Sequence, residues 1–167
     1  GIPLDAYGGN LSIATDDFIT GGTATLQSTG GSATFTLTGE SVSTTIGIGD
    51  GATSAALDVS EAELQDVAST FSEIIIGVDA TQSGAITVND GSGLTSLNSG
   101  LRLRSESGSV TIASAVDLTN TASTNLTVEG PATIQANIST DGGSVTFNDA
   151  ATINGTIAID TESGSNS

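Results

Sequence analysis

Residues that commonly carry out catalysis are scarce in this sequence. Acid–base cleavage of a sugar polymer needs a pair of carboxyl groups, and hydrolases of this kind surround the pair with histidine and a basic residue. Asp16 and Asp17 are the only adjacent acids, and the chain has no histidine and no lysine. A serine nucleophile would likewise find no imidazole or amine to activate it. We therefore predict that the protein is not an enzyme, and a polysaccharide-active enzyme is the least favoured alternative.

Four acids stand in segments that could offer oxygen ligands to a cation. Asp16 and Asp17 are adjacent, Asp50 lies in Gly-Asp-Gly, and Asp90 precedes Gly-Ser-Gly. Ca²⁺ prefers such oxygens, but these segments lack the ligand spacing of an EF-hand loop or of the glycine-rich nonapeptide. Acids beside glycine are also typical of turns, where they accept local backbone hydrogen bonds. We expect no required cofactor, and Ca²⁺ is the only candidate ion.

The charge balance restricts the possible partners. Nineteen acidic and two basic residues give a net charge of −17. Nucleic acids and anionic membrane surfaces bind through basic patches, so neither is an expected partner. No apolar run approaches the roughly 20 residues that cross a bilayer, so we do not expect membrane insertion.

The only two cations, Arg102 and Arg104, alternate with Leu101 and Leu103 and should point outward. One interpretation is a local pair with a nearby acid such as Glu106. The other is pairing with an acidic patch of a neighbouring subunit, where an arginine fork would set the register.

A repeating backbone must position all of these side chains. Residues 124–140 match residues 143–159 when they are shifted by 19 positions, with Thr127 on Thr146 and Ile134 on Ile153. Each copy contains three short apolar triplets about six residues apart, such as LTV, ATI and IST. The outer residues of a triplet point to one face of a strand. The predicted core ladder comprises Leu126, Val128, Ile134, Ile138, Val145, Phe147, Ile153 and Ile157.

Three strands in about 19 residues predict an all-β, three-sided solenoid, because a lone triplet can bury its apolar face only against neighbouring coils. We expect a single domain over residues 1–167, with a looser part at 1–59, regular coils at 72–160 and a polar tail at 161–167. A β-sandwich is the alternative fold. Such a fold more often shows Asn-Gly hairpin turns, and the chain has only Asn154-Gly155.

One segment interrupts the strand pattern. Ser60 and Glu63 have the spacing of a capping box, and Val59 with Leu64 forms the accompanying hydrophobic staple. We predict a short helix near residues 60–70 that braces a side or edge of the solenoid. Its apolar face would comprise Leu64, Val67, Ala68 and Phe71.

The middle residues of several triplets are threonines that should point outward. Stacked on one face, they would form a flat ladder suited to binding ice or another ordered surface. Threonine is also a favoured resident of solvent-facing strand positions, so the ladder could serve stability alone. The predicted ladder comprises Thr87, Thr111, Thr127 and Thr146, with Thr133 and Thr152 beside it.

The segments FSEIIIGVDATQSGAITVND (71–90) and GSVTIASAVDL (108–118) resemble the β-strand repeats of filamentous-haemagglutinin-like secreted adhesins, which are common in cyanobacteria and proteobacteria. The resemblance implies a right-handed parallel β-helix, a secreted or cell-surface location, and an adhesive or structural role without catalysis.

The segment IAIDTESGS at 157 is similar to LRLRSESGS at 101, as though another coil begins there. We therefore expect a stiff module of an extracellular adhesin or filament. Its partners would be copies of itself or adjacent domains of a longer chain, stacked end to end.

Overall fold

The computed structural model describes residues 4–20, 25–30, 32–51, 54–67, 70–78, 81–95 and 97–162. Most of the predicted polar tail therefore lies outside the described residues. Within these ranges the chain is built of short strands and one helix, and each pairing between named strands is parallel. The prediction of an all-β chain with repeating parallel strands is thereby confirmed.

The helix α1 (Glu61–Gln65) lies between the sixth and seventh strands. In chain order the strands are β1 (Leu4–Asp5), β2 (Leu11–Ala14), β3 (Leu26–Gln27), β4 (Ala33–Thr38), β5 (Ile46–Ile48), β6 (Leu57–Val59), β7 (Phe71–Gly77), β8 (Ile86–Val88), β9 (Gly100–Arg104), β10 (Val110–Ile112), β11 (Val116–Leu118), β12 (Leu126–Glu129), β13 (Ala132–Ile134), β14 (Ile138–Thr140), β15 (Val145–Phe147), β16 (Ala151–Ile153) and β17 (Ile159–Asp160).

The strands form three main sheets, which the chain visits in a fixed order from β11 onward. Sheet 1 has the spatial order β15-β12-β9-β7-β4-β2, sheet 2 has β16-β13-β10-β8-β5-β6, and sheet 3 has β11-β14-β17. A fourth pairing joins β1 to β3. From β11 onward the chain passes from sheet 3 to sheet 1 to sheet 2, repeats that passage, and returns to sheet 3 at β17. Each passage through the three sheets is one repeat of the structure.

The core is a narrow column of inward aliphatic side chains. Middle residues of the triplets face outward while their neighbours are buried, as strand alternation requires. Ile112, Ile134 and Ile153 lie one above another in sheet 2, as the 19-residue shift predicts for the last pair. Phe18, Phe35 and Phe71 pack together nearer the N-terminal end, with ring centroids 6.0 and 5.9 Å apart.

The repeat length varies more than the sequence suggested. Leu126 pairs with Val145, 19 residues away, but also with Leu101, which precedes it by 25 residues. The 19-residue shift of the sequence also places Ile138 on Ile157, and this prediction is wrong, because Ile138 pairs with Ile159. Three residues connect β13 to β14, whereas five connect β16 to β17, so the last strand lies two residues later. Ile157 still packs against the core from this connection.

The helix begins as predicted and ends earlier. The capping box is present, since the Ser60 side chain accepts from the Glu63 backbone N–H and the Glu63 side chain accepts from the Ser60 N–H. Leu64 is buried, while Val67 bridges to Leu26 and Phe71 starts β7 instead of extending the helix. Ala68, the other predicted member of the helical face, lies outside the described residues. The Glu61 carboxylate accepts a 2.6 Å hydrogen bond from the backbone N–H of Thr95, which ties α1 to the side of the stacked strands.

Candidate functional site

The last strand of each main sheet leaves apolar side chains uncovered. These strands, β15, β16 and β17, pair on one side only among the described residues, and we call them the C-terminal edge. Ile153 is 58% exposed and Ile159 is 42% exposed, although their partners Ile134 and Ile138 are 1% and 0% exposed. An unpaired strand also presents free backbone N–H and C=O groups to a further strand. Among the described residues, no further strand covers the aliphatic column at this edge.

The opposite end of the stack is better covered. Its outermost strands are β1, β2 and β6. Leu57 and Val59 of β6 are buried, Leu11 of β2 is half-buried, and Phe18 is buried next to Phe35. Because all pairings between named strands are parallel, the two ends of the stack are different surfaces, and a contact between two like ends would not continue the parallel pairing.

The two arginines form a charged network on the outer face of sheet 1. The Arg102 guanidinium donates from Nε to Glu73 and from Nη1 to Glu129, at 3.1 and 2.8 Å. The hydrogen bond with Glu73 is the main cause that raises the pKa of Arg102 above its ordinary value. Arg104 Nε lies 2.6 Å from Glu129 Oε2 as an ion pair that lacks hydrogen-bond alignment. The network spans β7, β9 and β12 and is half-buried.

Both acids of this network come from neighbouring strands of the sheet. Sequence reasoning considered Glu106, which is close along the chain, and did not identify Glu73 or Glu129. The register between neighbouring strands explains why these two acids contact the arginines. Glu129 pairs directly with Arg104, and Glu73 pairs with Gly100, two residues before Arg102. Pairing with a neighbouring subunit stays a prediction, although both guanidinium groups already have partners within the chain.

We expect Glu129→Gln to lower the free energy of unfolding by about 1–3 kcal/mol, because it removes the carboxylate that contacts both arginines in a mostly buried position. The measurement is the denaturant midpoint of the variant against the parent chain. Glu40→Gln is the matched control, since Glu40 is exposed and its loss should change stability by less than about 0.5 kcal/mol. Equal midpoints for the two variants would contradict a stabilising network.

The outward threonines divide between two sheets, so the predicted single ladder is wrong. Thr87, Thr111, Thr133 and Thr152 are register partners on adjacent strands of sheet 2. Thr127 and Thr146 pair with each other in sheet 1, where the next partner below Thr127 is Arg102. The corner between β12 and β13 turns the chain from one sheet to the other, and it thereby separates Thr127 from Thr133.

Two of the four acids considered for calcium accept hydrogen bonds from the backbone. Asp16 Oδ1 accepts from the backbone N–H of Glu40 at 2.9 Å, and buried Asp90 accepts from the N–H groups of Ser92 and Asp50 at 2.9 and 3.2 Å. Asp17 and Asp50 line one cavity of about 310 Å³, which also has acidic walls from Asp58 and Glu63. Among the described residues no group of three or more His, Cys, Asp or Glu side chains has an arrangement suited to a metal ion. Calcium binding stays a prediction.

Asp5 is another acid that holds neighbouring repeats together. Its carboxylate accepts hydrogen bonds from the Thr29 and Tyr7 backbone and from the Thr29 and Gln27 side chains. These bonds, led by the one from the Thr29 backbone, lower the pKa of Asp5 from its ordinary value.

In the part of the chain that the structure describes, no helix combines the length and apolar character needed to cross a membrane. No protein-family model matches the chain, and neither do curated proteins or solved structures.

The features of the structure that bear on function are therefore the C-terminal edge, the charged network of sheet 1 and the threonine row of sheet 2.

Proposed function

We propose that the chain is a right-handed, three-sided parallel β-helix and that it serves as a structural module of a secreted bacterial adhesin or extracellular filament. The regular passage from sheet 3 to sheet 1 to sheet 2 supports three sides. Right-handedness follows the near-universal hand of connections between parallel strands in one sheet. The resemblance to haemagglutinin-like repeats supports the extracellular role.

The C-terminal edge is the observation that carries this proposal. A repeat protein buries its core only where a further repeat or a capping segment covers the end. Here the exposed side chains of Ile153 and Ile159 continue rows that are buried in the preceding repeat. The edge is thus complementary to a further set of parallel strands with inward aliphatic residues.

We propose that a second copy of the chain supplies those strands, head to tail. In such a stack β2 of the second copy extends sheet 1 beyond β15, β6 extends sheet 2 beyond β16, and β1 follows β17. All three strands are already the outermost strands at their own end. Because the contact joins unlike ends, each added copy exposes a new C-terminal edge, and the assembly grows as an open filament.

Electrostatic repulsion should control this assembly. Each copy carries a net charge of −17, so association is opposed at low ionic strength. The Debye length falls from about 30 Å at 0.01 M salt to about 8 Å at physiological ionic strength, which screens repulsion between copies. We therefore expect filaments to lengthen as salt is added.

Sedimentation velocity and negative-stain microscopy at increasing protein and salt concentration test the proposal. The parent chain should form linear species whose mass rises with concentration. Ile153→Lys should remain monomeric, because it places a charge at the centre of the stacking surface. Val42→Lys is the matched control, since Val42 is similarly exposed, at 48%, but lies in the corner between β4 and β5. A parent chain that stays monomeric, or an Ile153→Lys variant that assembles normally, would refute head-to-tail stacking.

A further inference from the structure

Four strands of sheet 2 have no charged side chain on their outer surface, whereas β6 at the end of the same sheet carries the exposed Asp58. We consider the strands β8, β10, β13 and β16 of sheet 2, each with one flanking residue on either side. Their outward residues are only alanine, serine, threonine, proline, asparagine and glutamine. We call this surface the uncharged face, and it comprises residues 85–89, 109–113, 131–135 and 150–154. The outer faces of the other main sheets differ, since sheet 1 carries Glu73, Arg102 and Arg104 and sheet 3 carries Asp117 and Asp160.

A straight row of threonines runs along the middle of the uncharged face. Thr87, Thr111, Thr133 and Thr152 lie on four adjacent strands in register. Neighbouring strands in a sheet are about 4.8 Å apart, so the hydroxyl and methyl groups repeat at that interval. The β-branched side chain restricts rotation about χ1, which keeps the row ordered before any ligand arrives.

Along one margin of the uncharged face the side chains are short, and at its β8 end Thr87 and Asn89 line a pocket of about 250 Å³ together with the connection between β5 and β6. Ala85, Ser109, Pro131 and Ala150 precede the four strands and have short side chains. The nearest acids along the chain hold backbone N–H groups at the corners, since Asp149 accepts from Gly130 and Asp90 is buried.

A second copy of the protein is too large a partner for so small a face. Four strands about 4.8 Å apart and five residues of about 3.3 Å each cover roughly 300 Å². Two such faces together would bury about 600 Å², against the roughly 1,200–2,000 Å² of a stable protein–protein interface. Charged macromolecules have no ionic contact to make here, and the face offers no aromatic ring on which a sugar could stack.

We infer that the uncharged face binds ice. The regular spacing of hydroxyl and methyl groups suits a crystalline array of water molecules. Charged side chains hold hydration shells that conflict with such a lattice, which gives a physical reason for the absence of charge on this face alone. The inference depends on the threonine row and the local charge distribution, and it is independent of end-to-end stacking.

Partition into slowly grown ice and thermal hysteresis of the full chain test the inference. The parent protein should enter ice and depress the freezing point below the melting point, and Thr111→Lys or Thr133→Lys should lose both effects. Thr127→Lys is the matched control, because Thr127 is an outward, half-buried threonine in sheet 1 and the variant has the same charge. Thermal unfolding followed by circular dichroism checks that the three variants remain folded.

Several results would overturn the inference. A parent chain that is excluded from ice and gives no hysteresis would do so. An equal loss in Thr127→Lys would show that added charge anywhere on the molecule is responsible. Retention on insoluble chitin or cellulose without any effect on ice would identify the face as a polysaccharide site instead. A failure of ice binding leaves filament formation untouched, because the Ile153→Lys experiment measures a different surface.

Discussion

Ile134→Ala is expected to lower the free energy of unfolding by about 2–5 kcal/mol, the range for deleting a buried aliphatic side chain. Ile134 is 1% exposed and lies between Ile112 below and Ile153 above in the same row of sheet 2. The alanine would leave a cavity that closes poorly, because the backbone of each repeat is held by strand pairing on both sides. The denaturant midpoint measures the loss.

Ile153→Ala provides the control within the same row. Ile153 occupies the equivalent position one repeat later but is 58% exposed, so its truncation should cost less than about 1 kcal/mol. The comparison requires protein concentrations at which no association occurs, since stacking would bury Ile153. If the two variants lost similar amounts of unfolding free energy, the stability gained from these isoleucines would not depend on whether a further repeat buries them.

Gly130→Ala should be destabilising for two separate reasons. Gly130 has a φ of +116°, a conformation that costs a residue with a side chain roughly 1–3 kcal/mol. A Cβ atom at this position would also lie within 2.1 Å of the backbone carbonyl oxygen of Ser105 in the preceding repeat. The corner between β12 and β13 would have to move, and such overpacking adds roughly 1–3 kcal/mol. Thermal and denaturant unfolding should both show the change.

Gly155→Ala separates these two contributions. Gly155 has a φ of +113°, almost the same as that of Gly130, but the position that a Cβ atom would take has no neighbouring atom within 4 Å. Its substitution should therefore cost only the backbone strain. If Gly155→Ala were as damaging as Gly130→Ala, close contact between successive repeats would not be the reason that Gly130 is required.

Several features could be predicted from local sequence because they depend on neighbouring residues only. Alternation within each triplet identifies the buried positions, such as Leu126 and Val128, since successive side chains of a strand point to opposite faces. The capping box at Ser60 and Glu63 is likewise a contact over three residues. The pairing of Ile134 with Ile153 is a longer-range contact, and it was predictable because the segments 124–140 and 143–159 match at a constant shift of 19 residues.

Other features depended on how loops of different lengths bring distant strands together. Thr87 and Thr111 stack with Thr133, not with Thr127, and Glu73 reaches Arg102 across 29 residues. The strand β6 follows β5 in sequence but lies outside it in sheet 2, so order along the chain does not give order in space.

The sequence by itself determined the class of fold, the inward residues of the strands and the strongly negative charge, because periodicity and composition are local properties. The tertiary structure alone decided which outward residues share a face, and hence that the outer surface of sheet 2 from β8 to β16 has no charged side chain. It also decided that Ile153 and Ile159 remain exposed at the C-terminal edge. The shared face depends on strand register between repeats, which loop lengths and backbone hydrogen bonds set over long distances along the chain. The exposure of the two isoleucines has another reason, since β16 and β17 pair on one side only among the described residues.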